Sequence, residues 1–185
     1  MTTKIKNQKS MGVETITTPQ IPALSAEAAA NVQAIFARSA FTRELGVKLA
    51  GVGVGWCATS LATTPQYLQQ NDFVHAGVQA MLADHTGGAA AGTLMPDGHT
   101  VLSVEFKINL LRPAVGQSLR CHATVLKPGR TLIIVESEVY ATNDGNEKLV
   151  SKATITLAVV PETRIKKEAA GIAAPPDTSN KESQS

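Results

Sequence analysis

The clearest pattern in the chain lies between Thr100 and Leu111. Leu102, Val104, Phe106, Ile108 and Leu110 alternate there with Ser103, Glu105, Lys107 and Asn109. A period of two predicts a strand with one buried face. Three more β-type runs follow: QSLRCHATVLK from Gln117, TLIIVESEVYAT from Thr131 and KLVSKATITLAVV from Lys148. Pro128-Gly129 and Asn143-Asp144-Gly145 separate them as tight turns. Four such strands in chain order predict an antiparallel meander. Earlier, LGVKLAGVGVGWCATSLAT from Leu45 carries Gly46, Gly51, Gly53 and Gly55 among β-type residues, which predicts two short strands and a glycine turn. Helical periodicity appears twice. LSAEAAANVQAIFARSAF from Leu24 puts Val32, Ile35 and Phe36 on one face, with Ser25 as the N-cap. Residues 76–92 form a second helix, built almost wholly from apolar and small residues.

The predicted order is helix, two strands, long helix, four strands. One apolar helix must cover the apolar face of the sheet. The alanines and glycines of residues 83–92 let that helix sit close inside a strongly curved sheet. This is an α+β chain with the hotdog fold, a curved antiparallel sheet wrapped around one central helix. TTPQYLQQNDFVH, broken by Pro65 and Asn71-Asp72, reads as the loop leading into the helix. Residues 1–22 are expected to be a flexible arm, 23–162 the domain, and 163–185, polar and Pro/Ser-containing, a disordered tail.

Composition narrows the function classes. The chain has 185 residues, a net charge of +2 and seven aromatics, with no basic cluster interleaved with aromatics. Nucleic acid is therefore not an expected partner. No apolar run approaches the ~20 residues of a membrane span, and no apolar signal core follows the N-terminal lysines. Cys57 and Cys121 read as two reduced packing thiols, and the expected location is cytoplasmic. Gly51-x-Gly53-x-Gly55 lacks the following helix of a dinucleotide fingerprint. His85, His99 and His122 have no metal-ligand spacing, so neither a metal nor a separate cofactor is expected.

The candidate chemistry centres on Asp84, a lone acid in the middle of VHAGVQAMLADHTGGAAAGTL. Aspartate is a poor mid-helix residue, and burial without hydrogen bonds costs several kcal/mol. Asp84 either takes a structural or solvent-facing role or acts as a base or nucleophile in a partly dry cleft. At the helix start, His75 and Ala76 offer free backbone N–H groups and the positive end of the dipole, which can hold a developing oxyanion. A carboxylate with an oxyanion site suits attack on a carbonyl. Ala76 and Asp84 stand about 12 Å apart along one helix. One carbonyl can meet both only if two chains set their central helices antiparallel in a two-fold dimer.

The segments QQNDFVHAGVQAMLADHTGGAAA, SVEFKINLLRPAVG and KPGRTLIIVESEVY resemble the PaaI-type hotdog acyl-CoA thioesterases over residues 67–160. That family shows a loop amide residue, then His-Gly-Gly opening the central helix, with an acid nine residues after the histidine. A polar residue on the next strand and an N-x-x-x-P end complete the pattern. The resemblance makes His75 the family histidine, Asp84 the general base or nucleophile, and Ser103 the strand residue that helps place water or acid. Gly77 matches the second glycine, and Asn109 and Pro113 the N-x-x-x-P end. Ala76 replaces the first glycine, where only the backbone N–H is required; a HAG subgroup is similar in this respect. Gln69 stands where many relatives carry asparagine and keeps the amide on a longer arm.

The resemblance implies hydrolysis of an acyl-CoA, with coenzyme A as part of the substrate, by a homodimer or dimer of dimers. Arg112, Lys127 and Arg130, beside turns at strand ends, are the candidates for its phosphates. A hotdog dehydratase or hydratase, or a non-catalytic acyl-CoA-binding protein, are the alternatives. The acyl chain is not legible in the sequence.

Overall fold

The structure, a computed structural model, describes residues 23–171. The expected arm at residues 1–22 lies outside the described residues. The chain runs α1 (Ala26–Arg38), α2 (Ala40–Glu44), β1 (Lys48–Gly53), β2 (Trp56–Ala62), a 3-10 turn (Pro65–Tyr67) and α3 (Ala76–Gly92). β3 (His99–Leu110), β4 (Ser118–Lys127), β5 (Leu132–Asn143), β6 (Asn146–Pro161) and α4 (Glu162–Ala170) complete it. Ser25 caps α1 as predicted, its Oγ accepting from the Ala28 N–H at 3.1 Å. Gly55 at φ 74° makes the turn between β1 and β2, and Asp144 and Gly145, at φ 47° and 79°, make the turn between β5 and β6.

The six strands form one antiparallel sheet in the order β1-β2-β4-β5-β6-β3. The expected meander is corrected at one strand: β3 does not pair with β4 but lies beyond β6 at the sheet edge. The connection Leu111–Gln117 carries the chain across the ends of β6 and β5. It is tied there by Leu111 N–H to the Val150 carbonyl at 2.8 Å and by Gln117 N–H to the Thr142 carbonyl at 2.9 Å. Seven residues can span ~23 Å, enough to cross three strand spacings of ~4.8 Å each.

α3 lies on the sheet and touches β2 through β6. Its small residues have the predicted reason. A Cβ at Gly87 would fall 2.6 Å from Ile155 Cδ1, and Ala89, Ala90 and Ala91 are fully buried. Hydroxyls fix the helix against the sheet at two points, Thr59–Thr86 and Ser137–Ala83. Thr59 Oγ1 and Thr86 Oγ1 share a hydrogen bond at 2.7 Å. Thr86 Oγ1 also lies 2.6 Å from the Leu82 carbonyl, and Ser137 Oγ donates to the Ala83 carbonyl at 2.9 Å. These two anchors, at Ala83 and Thr86, flank Asp84 in sequence.

The expected tail also needs correction. Glu162–Ala170 is helical, with Arg164–Glu168 at 3.0 Å and Lys166–Glu162 at 3.6 Å as i,i+4 pairs. Such pairs support a helix with no buried face. Residues 172–185 lie outside the described residues.

Candidate active site

The loop before α3 folds back on itself. Leu68 and Val74 form a bridge, Gln69 N–H donates to the Phe73 carbonyl at 2.8 Å, and Asp72 takes the left-handed conformation at φ 62°. This tight return brings Gln69 beside the start of α3. His75 is the N-cap, its Nδ1 accepting from the Gly77 N–H at 2.9 Å. With Nδ1 as acceptor, the neutral ring carries its proton on Nε2. A Cβ at residue 77 would sit 3.0 Å from His75 Nδ1, so Gly77 is the residue that lets the imidazole lie over the helix start. The Ala76 N–H has no acceptor among the described residues. It remains a free donor at the positive helix end.

A groove of about 580 Å3 opens here. Gln69, His75, Ala76, Arg112 and Pro113 all line it. Arg112 reaches it from the β3–β4 connection, with Nη1 bonded to the Leu149 carbonyl. Gln79 lines it too and was not singled out in the sequence. It is 4% exposed, with Nε2 donating to the Val74 carbonyl at 3.1 Å and Oε1 without a partner among the described residues. A lone glutamine on an Ala-rich helix, one turn after the histidine, was its only signal.

Asp84 lies two turns further along α3, half-buried. Ser103 Oγ donates to its Oδ1 at 2.6 Å. Strict alternation puts Ser103 on the face of β3 away from the core, with Glu105, Lys107 and Asn109. A β-bulge overturns that. Ser103 pairs with Leu157 and Glu105 with Thr156, leaving Val104 as the extra residue. Leu157 and Ile155 are both core residues. Ser103 therefore faces the helix on one side of the bulge, as Phe106 and Ile108 do on the other. Bulges commonly re-aim a side chain in this way.

Three predicted binding residues are not brought to the groove. Asn109 pairs with Lys152 on the outer face of the sheet, where Lys152 meets Glu136 at 2.8 Å and Glu138 at 3.1 Å. Lys127 and Arg130 flank the β4–β5 turn, at the opposite end of the sheet from Arg112. β5 alone covers ~40 Å between those ends, so a single chain does not offer all three cations to one ligand.

The remaining reactive side chains have structural explanations. Burial pushes the Cys57 and Cys121 thiols up to about 12, which keeps them protonated and unreactive. His85, beside Asp84, turns away and packs edge-on against Phe36 of α1, with ring centroids 4.6 Å apart. Burial lowers its pKa, against a smaller upward pull from Asp84.

Comparison with known proteins decides the family. Residues 71–148 match the family model described as Thioesterase superfamily. A crystal structure of a thioesterase family protein from Silicibacter pomeroyi is 35% identical, with a TM-score of 0.71 over 72% of this chain and 98% of that one. The chain belongs to the thioesterase superfamily. The fold of this thioesterase is shared more widely. The E. coli PaaI protein from the phenylacetic acid degradation operon is 22% identical, with a TM-score of 0.67 over 75% of this chain and 96% of that one. A thioesterase from Haemophilus influenzae is 23% identical, with a TM-score of 0.62 over 68% of this chain and 86% of that one. The matched residues of the thioesterase domain include His75, Asp84, Ser103 and Arg112. No helix among the described residues is long and apolar enough to cross a membrane.

Proposed function

We propose that this thioesterase hydrolyses an acyl-CoA to the free acid and coenzyme A, with Asp84 as general base or nucleophile. The hydrogen bond from Ser103 to Asp84 carries the reading. A donor at 2.6 Å occupies one oxygen of the carboxylate, orients it, and leaves the other oxygen for water or carbonyl carbon. The thioester oxygen takes the free Ala76 N–H, where negative charge develops as the tetrahedral intermediate forms. His75 Nε2–H and the Gln69 amide are further donors on the same side of the groove. Collapse of the intermediate expels the coenzyme A thiolate; where Asp84 is the nucleophile, water then cleaves the acyl–Asp84 anhydride to give the free acid and restore the carboxylate.

Ala76 and Asp84 of one helix cannot reach one carbonyl, because ~12 Å separates them. The site is therefore completed by the Asp84 of a second copy. Among the described residues β3 has a neighbour on one side only, and Leu102, Val104, Phe106 and Leu110 are exposed along it. Pairing two β3 edges about a two-fold axis covers these side chains and sets the two α3 helices antiparallel. It also brings the Lys127 and Arg130 end of one sheet toward the Arg112 end of the other, where the phosphates of coenzyme A need cations.

The test is thiol release from a panel of acyl-CoAs. We expect turnover with at least one of them, abolished in the Asp84→Asn variant. Release that is absent across the panel, or unchanged in the variant, rules the reading out.

A further inference from the structure

His75 lines two grooves that differ in charge. The first, at the helix start, sets Gln69, Gln79 and the cation of Arg112 among apolar residues such as Phe73, Leu110 and Leu111. The second, about 400 Å3, lies between α2 and the outward side of α3 and is walled by Phe41, Leu45, Leu68, Val78 and Met81. Tyr67 also lines it, but its hydroxyl is already spent on the Leu45 carbonyl at 2.7 Å. Apart from His75, its ionisable members are that phenol and one carboxylate, Glu44, so it offers no lysine or arginine to an anionic guest. Phe41 is 64% exposed above it. With Leu45, Leu68, Val78 and Met81 it makes a contiguous apolar wall, which suits an apolar guest.

A thioester also has two arms of opposite character. The pantetheine arm carries amides and leads to phosphates; the acyl arm is carbon. Their junction is the carbonyl, and the free Ala76 N–H stands between the two grooves, since Ala76 lines one and Gly77 the other. The geometry points to the groove between α2 and α3 as the seat of the acyl arm, and so to an uncharged, apolar acyl group as the substrate class. This inference rests on the hydrolase reading above for its carbonyl position. The pantetheine arm and the first phosphate then fall to the groove that holds Arg112. Phe41 becomes a specificity-determining residue that closes over the acyl chain.

The experiment has two arms. In the first, kcat/KM is measured for straight-chain acyl-CoAs from acetyl to decanoyl, and for glutaryl-CoA as an anionic acyl group. We expect kcat/KM to rise about fourfold per methylene until the groove is full, with glutaryl-CoA below the uncharged chain of equal length. In Phe41→Ala the decanoyl-to-acetyl ratio should fall by about tenfold; this exposed position places no burden on folding. Val78→Phe, which fills the groove from the helix, should lower the ratio further. A flat dependence on chain length, a preference for glutaryl-CoA, or a native ratio in both variants overturns the inference. In the second arm, binding of S-ethyl to S-decyl coenzyme A thioethers is titrated by calorimetry. These compounds are not cleaved, so this arm stands even if no thioester is hydrolysed. Affinity that tightens with alkyl length in the native chain but not in Phe41→Ala supports the groove assignment; affinity independent of length overturns it.

Discussion

The two halves of the site are built by different means. At the start of α3 the chemistry belongs to the backbone: a free N–H, a helix dipole, and a histidine held over the first turn by the N–H of Gly77. Two turns on, it belongs to side chains alone, a carboxylate on a helix and a hydroxyl on a strand at 2.6 Å. A backbone donor survives most substitutions, because every residue except proline supplies it. A side-chain pair survives none that change its atoms. On the proposed mechanism this difference allows alanine at position 76 while it ties the acid and its donor to one spacing. It also sets how each half can be broken.

The largest effect belongs to the side-chain half. Asp84→Asn should lower turnover by about 100-fold or more in a thiol-release assay, with the fold retained, since the amide is isosteric. The backbone half is open to one substitution only, Ala76→Pro. His75 at φ −56° and ψ 140° already has the conformation a residue before proline needs, and proline is tolerated at the first helical position. Mixed together, the two inactive variants should regain about a quarter of the native sites after subunit exchange, through mixed dimers in which one site inherits both intact halves. Failure to recover, with exchange confirmed by mass, would mean that each chain holds its own complete site.

Ser103→Ala should cost about tenfold in turnover, the scale of one hydrogen bond to a charged group. It should leave KM nearly unchanged, because the hydroxyl bonds the acid rather than the substrate. An equal loss in KM would place Ser103 on the substrate instead. Gly77→Ala should act more weakly, by a few-fold. Its new Cβ would stand 3.0 Å from His75 Nδ1, and a shift of a few tenths of an ångström in the imidazole relieves the contact. A 100-fold loss there would show that the first turn has no such freedom.

The smallest effect concerns His85, the neighbour of Asp84 that faces the other way. Its folded-state pKa lies below the ordinary 6.5, chiefly through burial. In the window between the folded value and 6.5 the unfolded chain binds more protons than the folded one, so stability should fall as pH drops below 6.5. His85→Gln should flatten that part of the melting-temperature profile. An unchanged slope would assign it to other groups.

Much of this arrangement was legible from local chemistry. The Ala/Gly run of α3, the Ser25 cap and the Asn143-Asp144-Gly145 turn are decided by residues within a few positions of one another. So was the isolation of Asp84 among small apolar neighbours. What escaped was decided by distant partners. The place of β3 beyond β6 depends on pairing between residues 99–110 and 151–161, which tight turns alone do not reveal. The bulge at Val104 leaves no mark in the sequence, because Leu102 to Leu110 alternate without a break. Asn109 stands on the outer face that the alternation assigns it, and only the family resemblance set it at the site; Lys127 and Arg130 were misplaced by their distance from Arg112 along the sheet. The helix at Glu162–Ala170 was hidden by a polar composition that its own ion pairs sustain.

The bulge makes β3 a strand read in two frames. Before Val104 the odd-numbered residues look toward α3; after it the even-numbered ones do. A single frame would force a choice: with Ser103 turned inward, Phe106 and Ile108 would point outward, and with those two inward the hydroxyl would be lost to the far side. One inserted residue removes the conflict. The segment after it is free to vary as a hydrophobic edge, and the segment before it as a carrier of polar chemistry, without either constraining the other's alphabet. Deleting Val104 would remove the extra residue and leave one regular frame in which Ser103, Phe106 and Ile108 still all face α3.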